Sequence, residues 1–220
     1  MGSVIGDLLP LAVGVAVSPV PIIATILMLL SKRAGGTSVG FAVGWLFGII
    51  VATVLFVVMS GTVSTSDDGP SATVSWIELA LGVLLLAFGV KQWGGRRADH
   101  ETPKWMQAVD EMTAVQGLGL GFALAAINPK NLLMCIAAGV LIGSASLATA
   151  GVVVSSLVFT IIAGSTVAIP VVGYVVAADR LREPLATLKV WLQDNNATVM
   201  SVLILVIGVV LIGKGIGGIF

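Results

Sequence analysis

A short proline motif occurs twice in this chain, each time inside an apolar run long enough to cross a bilayer. Residues 16–21 read Ala-Val-Ser-Pro-Val-Pro, and residues 126–131 read Ala-Ile-Asn-Pro-Lys-Asn. Pro19 and Pro129 are separated by half the length of the 220-residue chain. Because proline removes a backbone N–H and clashes with the preceding turn, each motif predicts a membrane helix that is broken near its middle. Broken helices in corresponding places of two halves are typical of transporter binding sites.

The composition indicates an integral membrane protein. The chain is 57% hydrophobic and only 10% charged, with a mean hydropathy of +1.10, whereas soluble domains carry roughly 25% charged residues. Apolar runs of about 18 residues or more are typical of transmembrane helices. We predict a single all-α membrane domain over residues 1–220 whose first and fourth spans are the broken ones. The six predicted spans cover residues 8–31, 36–60, 74–93, 116–142, 147–177 and 197–217.

The basic residues predict the orientation. All lysines and arginines except Lys130 and Lys214 follow spans one, three and five. Basic links remain in the cytoplasm, so both termini are predicted to lie outside it, across the inner (plasma) membrane. Two of these links have an amphipathic pattern and are predicted to lie along the inner leaflet. Their apolar faces comprise Trp105, Val109 and Met112 in the link 94–115, and Leu181, Leu185, Leu188 and Leu192 after span five.

The two halves resemble copies of one unit. The proline motifs occupy equivalent places, and the segment Gly82–Gly89 of span three resembles Gly208–Gly215 of span six. A unit of three spans crosses the membrane an odd number of times, so its second copy runs in the opposite direction. We therefore predict two inverted three-helix repeats, residues 1–93 and 116–220, with substrate bound between them near the midplane.

The residue before each proline is a favourable N-cap, which predicts a half-helix that restarts at mid-membrane. The N-terminal amides of two such half-helices, one from each repeat, would face a shared cavity with partial positive charge. Lys130 adds a formal charge close to the bilayer centre, and no carboxylate lies at similar depth. A basic site without an acidic partner favours an anionic ligand. The candidate binding residues are Ser18, Pro19, Pro21, Asn128, Pro129, Lys130 and Asn131.

The alternative interpretation of these motifs is structural. Prolines kink many membrane helices where no substrate binds, and Ser or Asn can simply satisfy the carbonyls that the kink frees. Likewise, the glycine ridge of Gly40, Gly44 and Gly48 on span two predicts close helix packing, either inside the protomer or in a homodimer.

The chain lacks the residue types that several classes of protein function require. Metal cations require carboxylates or imidazoles, which are missing from the middle of the spans, so no metal site is predicted. Cys135 is the single cysteine, which excludes an internal disulfide and thiol–disulfide chemistry between two cysteines. No GxxxxGK[ST] motif is present for ATP hydrolysis. We predict no enzymatic activity, no cofactor and no nucleic-acid partner. For energy coupling, Asp7 and Glu78 are the nearest acidic candidates for a proton site, and a proton route through Lys130 or flipping down a gradient are the alternatives.

At Asn128-Pro129-Lys130 the chain resembles the lysine-exporter (LysE) superfamily, whose fourth span carries this triplet after a glycine-rich start, here residues 116–122. Within that group it is most similar to the actinobacterial sulfolipid- or peptidoglycolipid-addressing proteins, which share the pattern Leu-Pro-Leu-Ala…Ser-Pro-x-Pro, here residues 9–21. The resemblance covers nearly the whole chain. It implies a small helical export protein that moves envelope glycolipids or their precursors across the inner membrane.

Three functions follow as alternatives. The first is a secondary transporter or flippase for an anionic lipid, glycolipid precursor or amphiphile, with membrane lipids as its partners. The second is an exporter of amino acids or similar small solutes, which needs an enclosed cavity rather than a lateral opening. The third is a non-transporting accessory subunit that binds the envelope-lipid synthesis machinery.

Overall fold

The computed structural model describes residues 1–61, 72–95 and 109–219, and the described part of the chain is helical throughout its regular structure. A short 3₁₀ turn, Val109–Glu111, precedes the fifth helix, and the last helical segment is interrupted at Ala177, whose φ of −146° and ψ of 49° are not helical. The helices are α1 (Gly2–Ala16), α2 (Pro19–Leu30), α3 (Ala34–Gly61), α4 (Ala72–Gly95), α5 (Ala114–Ala126), α6 (Pro129–Gly143), α7 (Thr149–Tyr174) and α8 (Arg180–Ile219).

Four of these helices, α3, α4, α7 and α8, are individually long and apolar enough to cross a membrane. The pairs α1–α2 and α5–α6 reach that length only together, and they bend by 51° and 63° at the two proline motifs. The described residues therefore contain four to six candidate membrane spans, and the breaks predicted at Ser18 and Asn128 are confirmed.

α4 and α8 pack closely in antiparallel directions. A Cβ added at Gly82 would lie 2.9 Å from the carbonyl oxygen of Gly208, and one added at Gly208 would lie 3.1 Å from that of Gly82. Only glycine permits this approach of two backbones. The neighbouring contacts are also reciprocal, because Gly82 faces Ile212 while Gly208 faces Leu86.

α3 and α5 pack through glycines as well. A Cβ at Gly40 or Gly44 would collide with the backbone of Ala114 or Leu118, and one at Gly121 would collide with the carbonyl oxygen of Phe41. The glycine ridge predicted on span two is thus used inside the protomer, which fits the small-residue packing of membrane helices.

This packing predicts that substitutions of two neighbouring glycines on α5 have very different effects on the free energy of unfolding. Gly121→Ala forces the α3 and α5 backbones apart and should lower the free energy of unfolding by about 1–3 kcal/mol. Gly119→Ala is the control, because a Cβ there meets nothing within 4 Å. Thermal unfolding in detergent should show a lower midpoint for Gly121→Ala alone, and equal midpoints would contradict the close packing of α3 and α5.

The two amphipathic segments pack part of their apolar faces on the protein. Val109 is 2% exposed and lies in the core against α2, whereas Trp105 lies outside the described residues. Leu185 and Leu192 are buried, while Leu188 is 41% exposed. The segment after span five is continuous with span six, because α8 runs for 40 residues. At 1.5 Å per residue it is about 60 Å long, twice the hydrocarbon thickness.

Candidate functional site at the two helix breaks

The first break frees a carbonyl at the end of α1. Pro19 has no N–H, and the N–H of Ser18 bonds to the carbonyl of Val15 at 3.2 Å instead of continuing the α-helical pattern. The carbonyl oxygen of Gly14 consequently has no backbone donor from Ser18. A buried carbonyl in this position requires a side-chain donor or water.

The second break repeats this arrangement. The N–H of Asn128 bonds to the carbonyl of Ala123 at 3.2 Å, which leaves the carbonyl of Leu124 without its usual donor. The side-chain amide of Asn131 donates to Leu124 at 2.9 Å. Asn128 caps α6 as predicted, because its Oδ1 accepts from the backbone N–H of Lys130 at 3.1 Å.

Lys130 connects the two breaks. Its Nζ donates to the carbonyl oxygen of Gly14 at 2.7 Å, and its side chain is 0% exposed. The carboxyl end of a helix carries partial negative charge, so an ammonium group is favourable at the end of α1. The lysine therefore has a backbone partner, although no described carboxylate pairs with it. The structure brings the two proline motifs together through this bond.

Ser18 takes the N-cap position of α2, but the predicted capping bond is not made. An N-cap oxygen accepts from the second or third residue of the helix. Here the third residue, Pro21, has no N–H, and the hydroxyl does not accept from the second residue, Val20, either. The hydroxyl of Ser18 is buried without a partner among the described residues, and the same holds for Oδ1 of Asn131.

The candidate residues differ in burial. Ser18, Lys130 and Asn131 are 0% exposed, so packed atoms cover these groups in this conformation. The shared cavity between the two half-helices therefore stays a prediction that requires the breaks to separate. Pro19 and Pro21 are also buried, whereas Asn128 is half-buried and Pro129 is exposed.

Two residues at the site were missed in the sequence. Gly14 supplies the carbonyl that Lys130 binds, and Thr166 of α7 donates its hydroxyl to the carbonyl of Ala16. Only its position in the sequence could have indicated Gly14. It lies four residues before Ser18, just as Leu124 lies four residues before Asn128. Nothing in the sequence distinguishes Thr166 from other polar residues of apolar helices.

A lateral groove of about 300 Å³ lies between α3 and α7. Its rim is open, since Val58 is 61% exposed and Leu157 is 51% exposed. Thr53, Ser156 and Thr160 are its polar lining residues. The other lining residues are Ile50, Val54, Val57, Val152 and Val153.

A cavity of about 580 Å³ that contains charged side chains lies at one end of the helices. Lys214 lines it and forms an ion pair with Asp7 at 2.6 Å, which joins α8 to α1. Glu78 lines the same cavity. The distance between Lys214 and Asp7 in the sequence hid this pairing. The two carboxylates proposed for energy coupling therefore share one cavity.

The comparison with family models matches residues 8–217, nearly the whole chain, to SfLAP, described as "Sap, sulfolipid-1-addressing protein". Comparisons with curated proteins and with solved structures gave no significant match. The resemblance to sulfolipid-addressing proteins is thereby confirmed, while the link to the lysine exporters stays a prediction. The chain belongs to the SfLAP (sulfolipid-1-addressing protein) family.

Proposed function

We propose that this protein is a secondary transporter or flippase that moves an anionic lipid or glycolipid precursor across the plasma membrane, with its termini outside the cytoplasm. The observation that carries the proposal is the 2.7 Å bond from Lys130 to Gly14, which joins the two helix breaks at a fully buried ammonium group. Ionisable residues at membrane depth are costly and usually mark a transport pathway. The family description supports a role in lipid export or addressing.

The proposal includes two inverted three-helix repeats. The reciprocal contacts of Gly82 with Ile212 and of Gly208 with Leu86 support it, because a two-fold axis between antiparallel helices exchanges such pairs. The breaks support it as well, since Gly14 and Leu124 occupy equivalent positions before the two N-caps and each carbonyl lacks its usual backbone donor. Movement of one repeat against the other would then expose the site to each side in turn.

In this mechanism the closed structure is the occluded state. When the breaks separate, the ammonium of Lys130 exchanges the carbonyl of Gly14 for an anionic group of the substrate. The unpartnered oxygens of Ser18 and Asn131 are then available to hydroxyl or amide donors of a head group. This exchange allows Lys130 to remain hydrogen-bonded in both states, which limits the cost of keeping it in the membrane.

The groove between α3 and α7 favours a lipid over a small solute. A lipid needs a lateral opening for its acyl chains, and this groove is lined by branched apolar side chains with an exposed rim at membrane depth. An exporter of amino acids remains the second candidate, because the ammonium of Lys130 and the unpartnered oxygens of Ser18 and Asn131 also suit a small zwitterionic solute. A role as an accessory subunit of an envelope-lipid complex is the third candidate. We also propose that the protein forms a homodimer and has no enzymatic activity.

A binding competition separates the first two candidates. The purified protein should be stabilised in thermal unfolding by a short-chain anionic lipid, with little effect from a zwitterionic lipid of the same chain length. Lysine and other amino acids should neither stabilise the protein nor displace the anionic lipid. Stabilisation by amino acids alone would favour the solute exporter.

A pair of hydroxyl substitutions tests the proposed role of Ser18. Ser18→Ala should leave the free energy of unfolding within about 0.5 kcal/mol of wild type, because no described residue bonds to this hydroxyl. It should nevertheless slow lipid transport about tenfold, the effect of losing one hydrogen bond of about 1.4 kcal/mol in the transport cycle.

Thr166→Val provides the matched control, because it removes a hydroxyl whose partner is the carbonyl of Ala16. It should lower the free energy of unfolding by about 0.6–1.7 kcal/mol. Rapid transport by Ser18→Ala together with an unchanged stability would remove Ser18 from the binding site.

A further inference from the structure

A second cavity, of about 560 Å³, lies at the end of the helices where the basic links converge. It is bounded by the start of α3, the start of α5 and the junction between α7 and α8. This end of the molecule is the one predicted to face the cytoplasm. The lining residues used below are Lys32, Arg33, Gly35, Gly36, Tyr174 and Arg182.

All the charged side chains that line this cavity are cations. Lys32 and Arg33 follow α2, whereas Arg182 comes from the start of α8, so the fold brings together cations that are remote in sequence. No carboxylate occurs among the described residues that line the cavity, and none of the three cations forms an ion pair with a described residue. Like charges that converge without a counter-charge favour the binding of an anion.

Backbone donors add to this preference. The first N–H groups of a helix have no intrahelical acceptor, and the first residues of α3 line the cavity. Gly35 and Gly36 leave their backbone accessible, because a Cβ at Gly35 meets nothing within 4 Å and one at Gly36 meets only Ala114, at 3.9 Å. An oxyanion can therefore approach these amides closely.

Several other polar side chains of the wall are already hydrogen-bonded. Thr37 donates its hydroxyl to the carbonyl of Met112 at 3.0 Å. Thr113 and Gln116 form a reciprocal capping box at the start of α5. These bonds fix the junction of α3 and α5, so the groups that remain for a ligand are the cations, the backbone amides and the hydroxyl of Tyr174.

We propose that this cavity is a second anion-binding site, separate from the helix breaks, that recognises a tetrahedral oxyanion of the phosphate or sulfate class. Arg33 and Arg182 bind its oxygens from opposite walls, with the amides of Gly35 and Gly36 between them. The volume is within the range of small-ligand pockets, about 300–1,000 Å³. Basic pockets between membrane helices on the cytoplasmic side are also where anionic lipid head groups bind.

Two probes distinguish the source of the oxyanion. Binding of inorganic phosphate and of dioctanoyl phosphatidic acid is measured by calorimetry on the full-length protein in detergent, with zwitterionic dioctanoyl phosphatidylcholine as the reference without net charge. Binding of both anionic probes with similar affinity indicates recognition of the free oxyanion. Binding of phosphatidic acid alone indicates a lipid head group. Binding of neither anionic probe overturns the proposal.

The variants locate the binding. Arg33→Gln and Arg182→Gln should each lower the affinity for the anionic probe that binds by about tenfold or more, and the double variant should lower it further. Arg180→Gln is the matched control, because it removes the same charge at the same end of the molecule but does not line the cavity. Equal weakening by all three single variants, or by none, overturns the assignment. Thermal unfolding midpoints verify that the variants are folded.

This inference does not depend on the proposed transport function. The binding measurements use no transport readout, and Lys130 is not among the residues that line the cavity. A protein that transports lipid but fails these binding tests would retain the proposed function and lose the second site. A protein that binds the anionic probes at this cavity but transports no lipid would retain the second site and lose the proposed function.

Discussion

Replacement of Lys130 by Met should abolish most transport of an anionic lipid while the protein still folds. Met fills a similar volume but leaves the carbonyl of Gly14 without its donor, which should lower the free energy of unfolding by about 1–3 kcal/mol. A hydrogen bond to a charged group contributes about 1.5–3 kcal/mol, so the loss of the ammonium should slow transport about 10–100-fold. Reconstituted vesicles report the transport rate, and thermal unfolding reports the stability.

Lys130→Gln separates the structural role of this lysine from its role as a charge. Gln retains an N–H donor for the carbonyl of Gly14 but carries no charge, so it should recover part of the stability that Met loses. Its transport of anionic lipid should remain as slow as that of Lys130→Met. Transport at the wild-type rate by Lys130→Gln would mean that Lys130 only caps α1, as the structural interpretation of the motif holds.

Filling the groove between α3 and α7 should have the second largest effect. Ser156 lines the groove and is partly buried, so Ser156→Trp places a large side chain where we propose that the acyl chain passes. Transport of a lipid with two long chains should fall at least about tenfold, since excluding even a few CH₂ groups costs about 0.8 kcal/mol each. The rate is measured in vesicles for lipids of long and short chain length.

Val154→Trp is the control for this substitution. Val154 is on the same helix and 41% exposed but does not line the groove, so a Trp there adds the same bulk toward the lipid without blocking the path. It should leave transport near the wild-type rate. Equal inhibition by the two variants, or none by Ser156→Trp, would show that acyl chains do not use this groove.

The helices and their breaks could be predicted because they depend on local chemistry. Proline at residues 19 and 129 lacks the N–H that a continuous helix needs, and Asn128 is a strong N-cap, so the bends appear where the sequence placed them. The glycine ridge on α3 indicated close packing for the same reason, since a missing side chain is visible in the sequence. Its partner, α5, was not predictable, because many apolar helices offer small residues.

The contacts at the site depended on long-range packing and were not predictable. The partner of Lys130 is the backbone of Gly14, and a carbonyl has no signature in the residue types. Ser18 shows the opposite error, because its N-cap position was evident but its hydroxyl makes no capping bond. The ion pair of Asp7 with Lys214 joins the two ends of the chain, a distance at which sequence patterns carry no pairing information.

The measurement that tests the central claim most directly is transbilayer movement of a fluorescent anionic glycolipid in vesicles that contain only the purified wild-type protein. We predict that the protein accelerates the movement of this lipid and has little effect on a zwitterionic lipid with the same chains. The same vesicles should not take up amino acids. A folded protein that leaves the anionic lipid in its original leaflet, or that carries amino acids instead, would contradict the proposed function.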